Sequence, residues 1–217
     1  MTLTKRCCKI ITIESCLDSE GKEVIVIRQR LSEKERKRQI QSAAKEIFFN
    51  KGFNETTMDD IVKASGMSTG GVYHYYKNKF NILYDIMEDG IEYRKRKNRA
   101  LDLGNLDSLD SVSQIMSDRV IDENDFKSLY AMLLQLKLKD SRISEIYDVL
   151  KTFNSDALSS LFSDQVQMKK VFEDDFLLAF INSLIIGYEV LGEKETFIQN
   201  KDIIKNMVKL YLDERWR

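Results

Sequence analysis

The sequence predicts an all-α protein, on two observations. Across 217 residues there is no Pro and only nine Gly, so little interrupts long helices. Apolar residues make up 43%, which marks a globular chain, and they recur at helical spacing along most of it. A chain of this length holds one fair-sized core, or a small domain and a larger one.

The first 30 residues stand apart. Two β-leaning runs, Ile10–Glu14 and Glu23–Ile27, flank the turn-like stretch from Asp18 to Gly21. They fit a hairpin, and they fit equally well a translated leader ahead of the native start.

Helix one follows, with Ser32 and Glu35 forming a capping box and Ile40, Ala43, Ala44, Ile47 and Phe48 an apolar stripe. Lys51 and Gly52 end it. Its opening carries Lys34, Arg36, Lys37 and Arg38, where the helix dipole disfavours cations. Phosphates lying against Arg36 and Lys37 would neutralise that crowding.

The next stretch, Thr57 to Lys79, organises the chain. Thr57 caps a short helix with Asp60 three residues on, ahead of Ile61 and Val62, and Ser65-Gly66 closes it. Ser68 caps a second helix after a tight turn. Val72 and Tyr76 lie four apart and point inward, whereas Thr69, Gly70, Gly71, Tyr73, His74 and Tyr75 face elsewhere. Small residues, hydroxyls and an imidazole at an exposed helix end suit a surface laid against DNA, as in a helix-turn-helix. Asn78 caps helix four, which carries Phe80, Leu83, Met87 and Ile91 and ends in the cations from Arg94 to Lys97 and Arg99. Those cations favour a C-terminal dipole and read as a solvated helix end.

Ordered together, these residues closely resemble the DNA-binding signature of the TetR family of bacterial one-component regulators. The resemblance runs from about Arg38 to Leu83: Ala43–Phe48, Lys51–Phe53, Thr56–Ile61, Gly66–Ser68, Gly71–Tyr76 and Lys77–Lys79. It implies an N-terminal three-helix helix-turn-helix DNA-binding domain and a C-terminal helical ligand-binding and dimerisation domain. The expected division is an extension over 1–30, a DNA-binding domain with linker helix over 31–95, and a second domain over 96–217. The resemblance further implies DNA contact by Thr69, Gly71, Tyr73, His74 and Tyr75, with Lys79 as a phosphate-binding lysine. Physically, Thr57 can bring its hydroxyl and helix N-terminus to a phosphate, with Ser68 and Gly70 at the same surface. The implied partners are a double-stranded DNA operator, an unknown small-molecule effector and a second copy of the chain. A sensor or interaction module of the same fold, acting without specific DNA binding, is the alternative.

Charge follows the same division. Residues 28–99 carry 16 Lys and Arg against 10 Asp and Glu, and residues 100–217 carry 14 against 21. A basic segment joined to an acidic one suggests that only the first meets a polyanion. Catalysis is not expected: His74 is the sole imidazole and lies among the presumptive DNA contacts. No cofactor or metal is expected either. Cys7, Cys8 and Cys16 have no metal-ligand spacing and read as free thiols in a reducing cytosol. The most apolar stretch, Phe176–Ile186, falls short of the ~20 residues of a membrane span. The expected location is cytoplasmic, with no membrane partner.

Beyond a break at Gly104-Asn105, helices are expected over 108–121, 125–139, 142–162, 165–191 and 201–214. Met116, Phe126, Tyr130, Tyr147, Phe153 and Phe176 are candidate effector contacts, with Gln135 or Asn154 as polar anchors. An aromatic, Met-containing set suits an apolar or amphipathic effector. The expected dimer contact combines Ala179, Phe180, Ser183, Leu184, Gly187 and Tyr188 with Ile204, Met207, Val208 and Tyr211. Ala179, Ser183 and Gly187 form a stripe of small side chains that would let a neighbouring helix approach.

Overall fold

A computed structural model describes residues 11–17, 23–29, 31–100 and 108–216. The break expected at Gly104-Asn105, the turn from Asp18 to Gly21, and Cys7 and Cys8 lie outside the described residues. Strands β1 (Ile11–Leu17) and β2 (Glu23–Gln29) pair antiparallel with Ser15 opposite Ile25, so the β-leaning runs do form a hairpin. From residue 33 onward every regular element among the described residues is an α-helix.

Local chemistry sets the first helices. The Ser32 backbone and hydroxyl both donate to Glu35, and Glu35 N–H returns to Ser32 Oγ, which starts α1 (Glu33–Lys51). Thr57 and Asp60 repeat the device at the start of α2 (Met58–Ser65). Gly66, at φ 65°, supplies the left-handed residue that turns the chain into α3 (Thr69–Tyr75). Asn78 then caps α4 (Lys79–Ala100), an uninterrupted helix of 22 residues.

The remaining helices are α5 (Leu109–Ile121), α6 (Asp125–Leu136), α7 (Ser141–Ser159), α8 (Gln165–Phe172), α9 (Asp175–Glu189), α10 (Lys194–Gln199) and α11 (Lys201–Trp216). The single helix expected over 165–191 is therefore two. Asp174 breaks it, because its carboxylate accepts from Leu177 N–H at 2.8 Å and from Tyr211 Oη at 2.8 Å. The short α10 has no counterpart in the sequence reading.

Two apolar cores result. One joins Ile40, Phe48, Ile61, Val72 and Ile86 of the first four helices to Leu129, Leu133, Ile143 and Leu150 of α6 and α7. The other packs α5 against α9 and α11 through Val112, Met116, Ile181, Ile185, Val208 and Leu212. A boundary at residue 95 falls inside α4, whose outer half contacts α7. At Gly90 the approach of α4 to α6 is so close that a Cβ would lie 2.9 Å from Phe126 Cβ.

Candidate nucleic-acid interface and effector cavity

The exposed side of α3 is built as the sequence requires. Ser68 Oγ accepts from Gly71 N–H at 3.2 Å, and Val72 and Tyr76 are buried. Tyr76 Oη donates to Asp85 on α4 and accepts from Gln41 on α1, locking α3 to both helices. Burial and the Asp85 carboxylate hold the Tyr76 phenol well above its usual range, so it stays neutral. Thr69, Gly70, Tyr73 and His74 are left facing outward, with Tyr73 45% exposed. Tyr75 is half-buried, its ring edge-on to His74 at 4.9 Å, and packs toward the core. Around Gly70 there is open space, so another backbone can approach there.

Four expected phosphate contacts are otherwise engaged. Lys79 spends all three ammonium hydrogens on the carbonyls of Phe53, Asn54 and Thr56, at 2.7, 2.9 and 2.8 Å, and its charge lies over the Phe53 ring. It clamps the turn between α1 and α2, and burial lowers its pKa from the ordinary lysine value. Thr57 gives its N–H and hydroxyl to Asp60, which also takes Lys51 Nζ at 2.7 Å. Lys37 pairs with Asp85 at 3.3 Å, while Arg36 reaches Gln39. Lys77, exposed in the turn between α3 and α4, has no ion-pair partner among the described residues. The sequence reading passed over Lys77 in favour of Lys79, although both flank the α4 cap.

A cavity of about 40 Å³ lies where α4, α5, α6, α7 and α9 meet. Phe126, Tyr130, Tyr147 and Asn154 line it, as expected, with Met87, Ile91, Leu150, Leu178 and Ile185. Tyr130 donates to Asn182 Oδ1, and Asn182 Nδ2 donates to Tyr147 Oη, which fixes both rings in the wall. Four of the candidate residues lie outside this lining. Met116 borders a separate, smaller recess behind Arg94 and Arg119. Gln135 is exposed and turned back onto the Ala131 carbonyl. Phe176 is 63% exposed at the start of α9 and stacks on Tyr211 at 5.0 Å. Phe153, too, lies outside the lining and packs against the first core.

The residues the sequence reading missed are cationic. Arg94, taken for a solvated helix end, points into the cavity and donates to Asn154 Oδ1 at 3.2 Å. Arg119 sits opposite, 8% exposed, with its guanidinium over the Tyr130 ring at 5.1 Å. Arg94 Nε and Arg119 Nε and Nη1 are shielded from water and have no hydrogen-bond partner among the described residues. Burial first, and then Arg119, push the Arg94 guanidinium below the ordinary arginine range.

The expected dimer residues divide. Tyr188, Ile204 and Val208 are buried in the chain's own core, and Gly187 is covered by Phe197 of α10, 2.9 Å from where a Cβ would stand. The small stripe therefore serves packing within one chain at that end. Ala179, Ser183 and Met207 are exposed, Phe180, Leu184 and Tyr211 half-buried, and Phe176, Ile203 and Leu210 add to the exposed apolar side chains of α9 and α11.

Among the described residues no helix is long and apolar enough to cross a membrane, and no group of His, Cys, Asp and Glu could hold a metal. Residues 40–85 match the family model described as bacterial regulatory proteins, tetR family. The HTH-type transcriptional regulator YfiR of Bacillus subtilis, itself uncharacterized, is 44% identical over 62 residues, 29% of this chain and 30% of that protein. The HTH-type transcriptional regulator QacR of Staphylococcus aureus is 41% identical over 51 residues, 24% of this chain and 27% of that protein. These matches thus span under a third of either relative. Among solved structures, GusR of Salmonella enterica superposes with a TM-score of 0.65 at 19% identity, covering 84% of this chain and 98% of that one. The fatty acid degradation regulator FadR of Bacillus halodurans gives 0.56 at 14% identity, covering 83% and 96%. At such identities the likeness is one of fold.

Proposed function

We propose that this chain, whose residues 40–85 match the TetR-family model, is a ligand-responsive transcriptional regulator, a repressor released from its operator by a small effector. One observation carries the reading. Helix α4 runs unbroken from Lys79, which clamps the head, to Ile91 and Arg94, which line the cavity. A ligand that spreads the cavity moves the same rigid helix that orients α3. It can do so only by binding the released state more tightly than the DNA-bound one.

In this reading Thr69, Gly70, Gly71, Tyr73 and His74 meet the major groove, with Lys77 on a flanking phosphate. Two copies, joined through Phe176, Ala179, Phe180 and Ser183 of α9 and Ile203, Met207 and Leu210 of α11, would read a pseudo-palindrome. Half-sites would lie about one helical turn, or a small multiple, apart. Tyr73→Ala should weaken specific binding about tenfold or more and leave binding to mixed DNA nearly unchanged. Lys77→Ala should weaken both and flatten the salt dependence by about one phosphate contact. Gel-shift titrations at several salt concentrations measure all four quantities, and two variants that bind like wild type would remove α3 from the interface.

The second reading, a sensor that does not bind specific DNA, draws on the internal engagement of Lys79, Thr57 and Lys37. The same titrations separate the two, since a sensor would give neither a preferred sequence nor a steep salt slope.

A further inference from the structure

The charges around the cavity form a simple ledger. Lys97 pairs with Asp122, whose other oxygen accepts from Asn124. Lys127 pairs with Glu189 at 3.2 Å and donates to the Val120 carbonyl. Lys151 pairs with Asp175 at 2.8 Å. Only Arg94 and Arg119 remain without a carboxylate among the described residues, and they face one another. A guanidinium cannot shed its proton in a protein, so both charges persist. Buried N–H groups without an acceptor are costly, and unpaired buried cations more so. The other walls are mainly apolar, through Met87, Ile91, Phe126, Leu150, Leu178 and Ile185, and the one carboxylate of the lining, Asp122, is the partner of Lys97.

We propose that the cavity binds an amphiphile through a single anionic head, a carboxylate or phosphate, held between Arg94 and Arg119, with its apolar body against α4, α6 and α9. This rests on the effector-responsive reading above and names the class of effector. Arg119 offers Nε and Nη1, and Arg94 offers Nε, the donors left empty; Asn154 and Tyr130 hold the two guanidiniums in position. A planar fork of this kind matches a carboxylate or phosphate edge. The free space, about 40 Å³, admits a head of a few atoms but not the 300–1,000 Å³ typical of whole ligands, roughly speaking. The body can enter only as the helices part. The contact resisting this is Gly90 of α4 on Phe126 of α6, so occupancy and displacement of α4 are linked.

The test uses the full chain in low-salt buffer free of phosphate and sulfate, with calorimetry and thermal melting. Decanoate and decyl phosphate are compared with decanol and decyltrimethylammonium, all below their micellar concentrations, and with acetate and inorganic phosphate. Both anionic amphiphiles, or one of them, should bind at least about tenfold tighter than the alcohol, the cation or the small ions. Preference for one over the other identifies the head. Equal binding of decanol or the cation, equal binding of the small ions, or no binding at all would overturn the proposal. Arg119→Met should erase the preference for anions, and it should raise the melting temperature of the free protein because an unpaired cation is gone. If that variant fails to fold, Arg119→Gln serves the same comparison, and the ranking of head groups in wild type stands by itself. DNA release is followed separately. Anion binding without any effect on DNA would sink the regulator reading and spare the site, whereas a sound DNA complex with no anion binding would sink the site alone.

Discussion

The head and the cavity treat cations in opposite ways. In the head, where a polyanion is expected, Lys79, Lys37 and Lys51 are all occupied by groups of the chain itself. In the cavity, where the sequence suggested an apolar or amphipathic ligand, two guanidiniums hold donors without an acceptor among the described residues. The difference separates two uses of positive charge. A lysine that completes three hydrogen bonds to carbonyls is part of the fold, and its partner is already present. An arginine shielded from water with no acceptor is destabilised as it stands, and a ligand can relieve that cost. Position near an expected polyanion is thus a weaker guide to a binding group than the state of its hydrogen bonds.

The largest expected effect converts a cavity-side lysine from the first kind to the second. Lys127 and Glu189 are both within 7% of full burial as side chains, and Ser128 Oγ also donates to Glu189. Glu189→Gln should cost about 3 kcal/mol in a denaturant titration, the lower end for breaking a buried ion pair from one side. Burial already lowers the Lys127 pKa, with Glu189 opposing it. Removing Glu189 lowers it further, so between the folded and unfolded values the unfolded chain holds the extra proton. The variant should therefore regain stability relative to wild type as pH rises toward about 10. A variant as stable as wild type at neutral pH would show that the Val120 carbonyl and the Tyr188 ring suffice for this ammonium.

A smaller effect tests the clamp in the head. Lys79→Met keeps the stem over Phe53 but strands three carbonyls at the end of α1. Because the site is partly open to water, the loss should be near that of one charged hydrogen bond, about 2 kcal/mol. Its DNA affinity should fall only as far as the folded fraction does. If the variant instead melts like wild type and loses DNA affinity, Lys79 belongs to the phosphate backbone after all.

Why these two regions differed in legibility follows from the range of the interactions. The starts of α2 and α3 could be read to the residue because Thr57, Gly66 and Ser68 act on neighbours within four positions, whereas the extent of α3, Thr69–Tyr75, came from the family resemblance. The burial of Val72 and Tyr76, and the exposure of Tyr73, follow from the same local periodicity. Arg94 could not be read this way. Cations late in a helix suit its dipole, so the local rule sent Arg94 to solvent, whereas the packing of α4 against α6 and α7 turned it inward. That Arg119, 25 positions away, would face it is a property of tertiary packing alone. Gly187 failed for a related reason: the stripe of small residues was real, but Phe197 on an unforeseen short helix covers it. Asp174 was a signal overlooked, since an acidic pair before an apolar run can cap a new helix as well as sit on an old one.

The smallest expected effect uses pH to loosen the head without touching the cavity. Asp60 accepts from the Thr57 N–H and hydroxyl and from Lys51, and the Lys51 bond, followed by those from Thr57, holds its carboxyl well below the usual aspartate range. Its folded pKa lies under the unfolded value, so its contribution is complete above about pH 4 and fades as pH falls from there toward the folded value. Wild type should lose stability through that window, and Asp60→Asn should lose less across it, having lost most of the contribution already at neutral pH. Salt should narrow the gap between the two, because the pair lies near the surface. Thermal melts from pH 6 to 3 at low and high salt measure this. Once Asp60 is protonated, the Lys51 ammonium loses its ionic partner and the Thr57 donors lose a charged acceptor. DNA affinity per folded molecule should then rise slightly below pH 4 if the internal commitment of these groups competes with phosphate binding. Identical pH profiles for wild type and Asp60→Asn would show that the capping ring contributes nothing to the stability of the head.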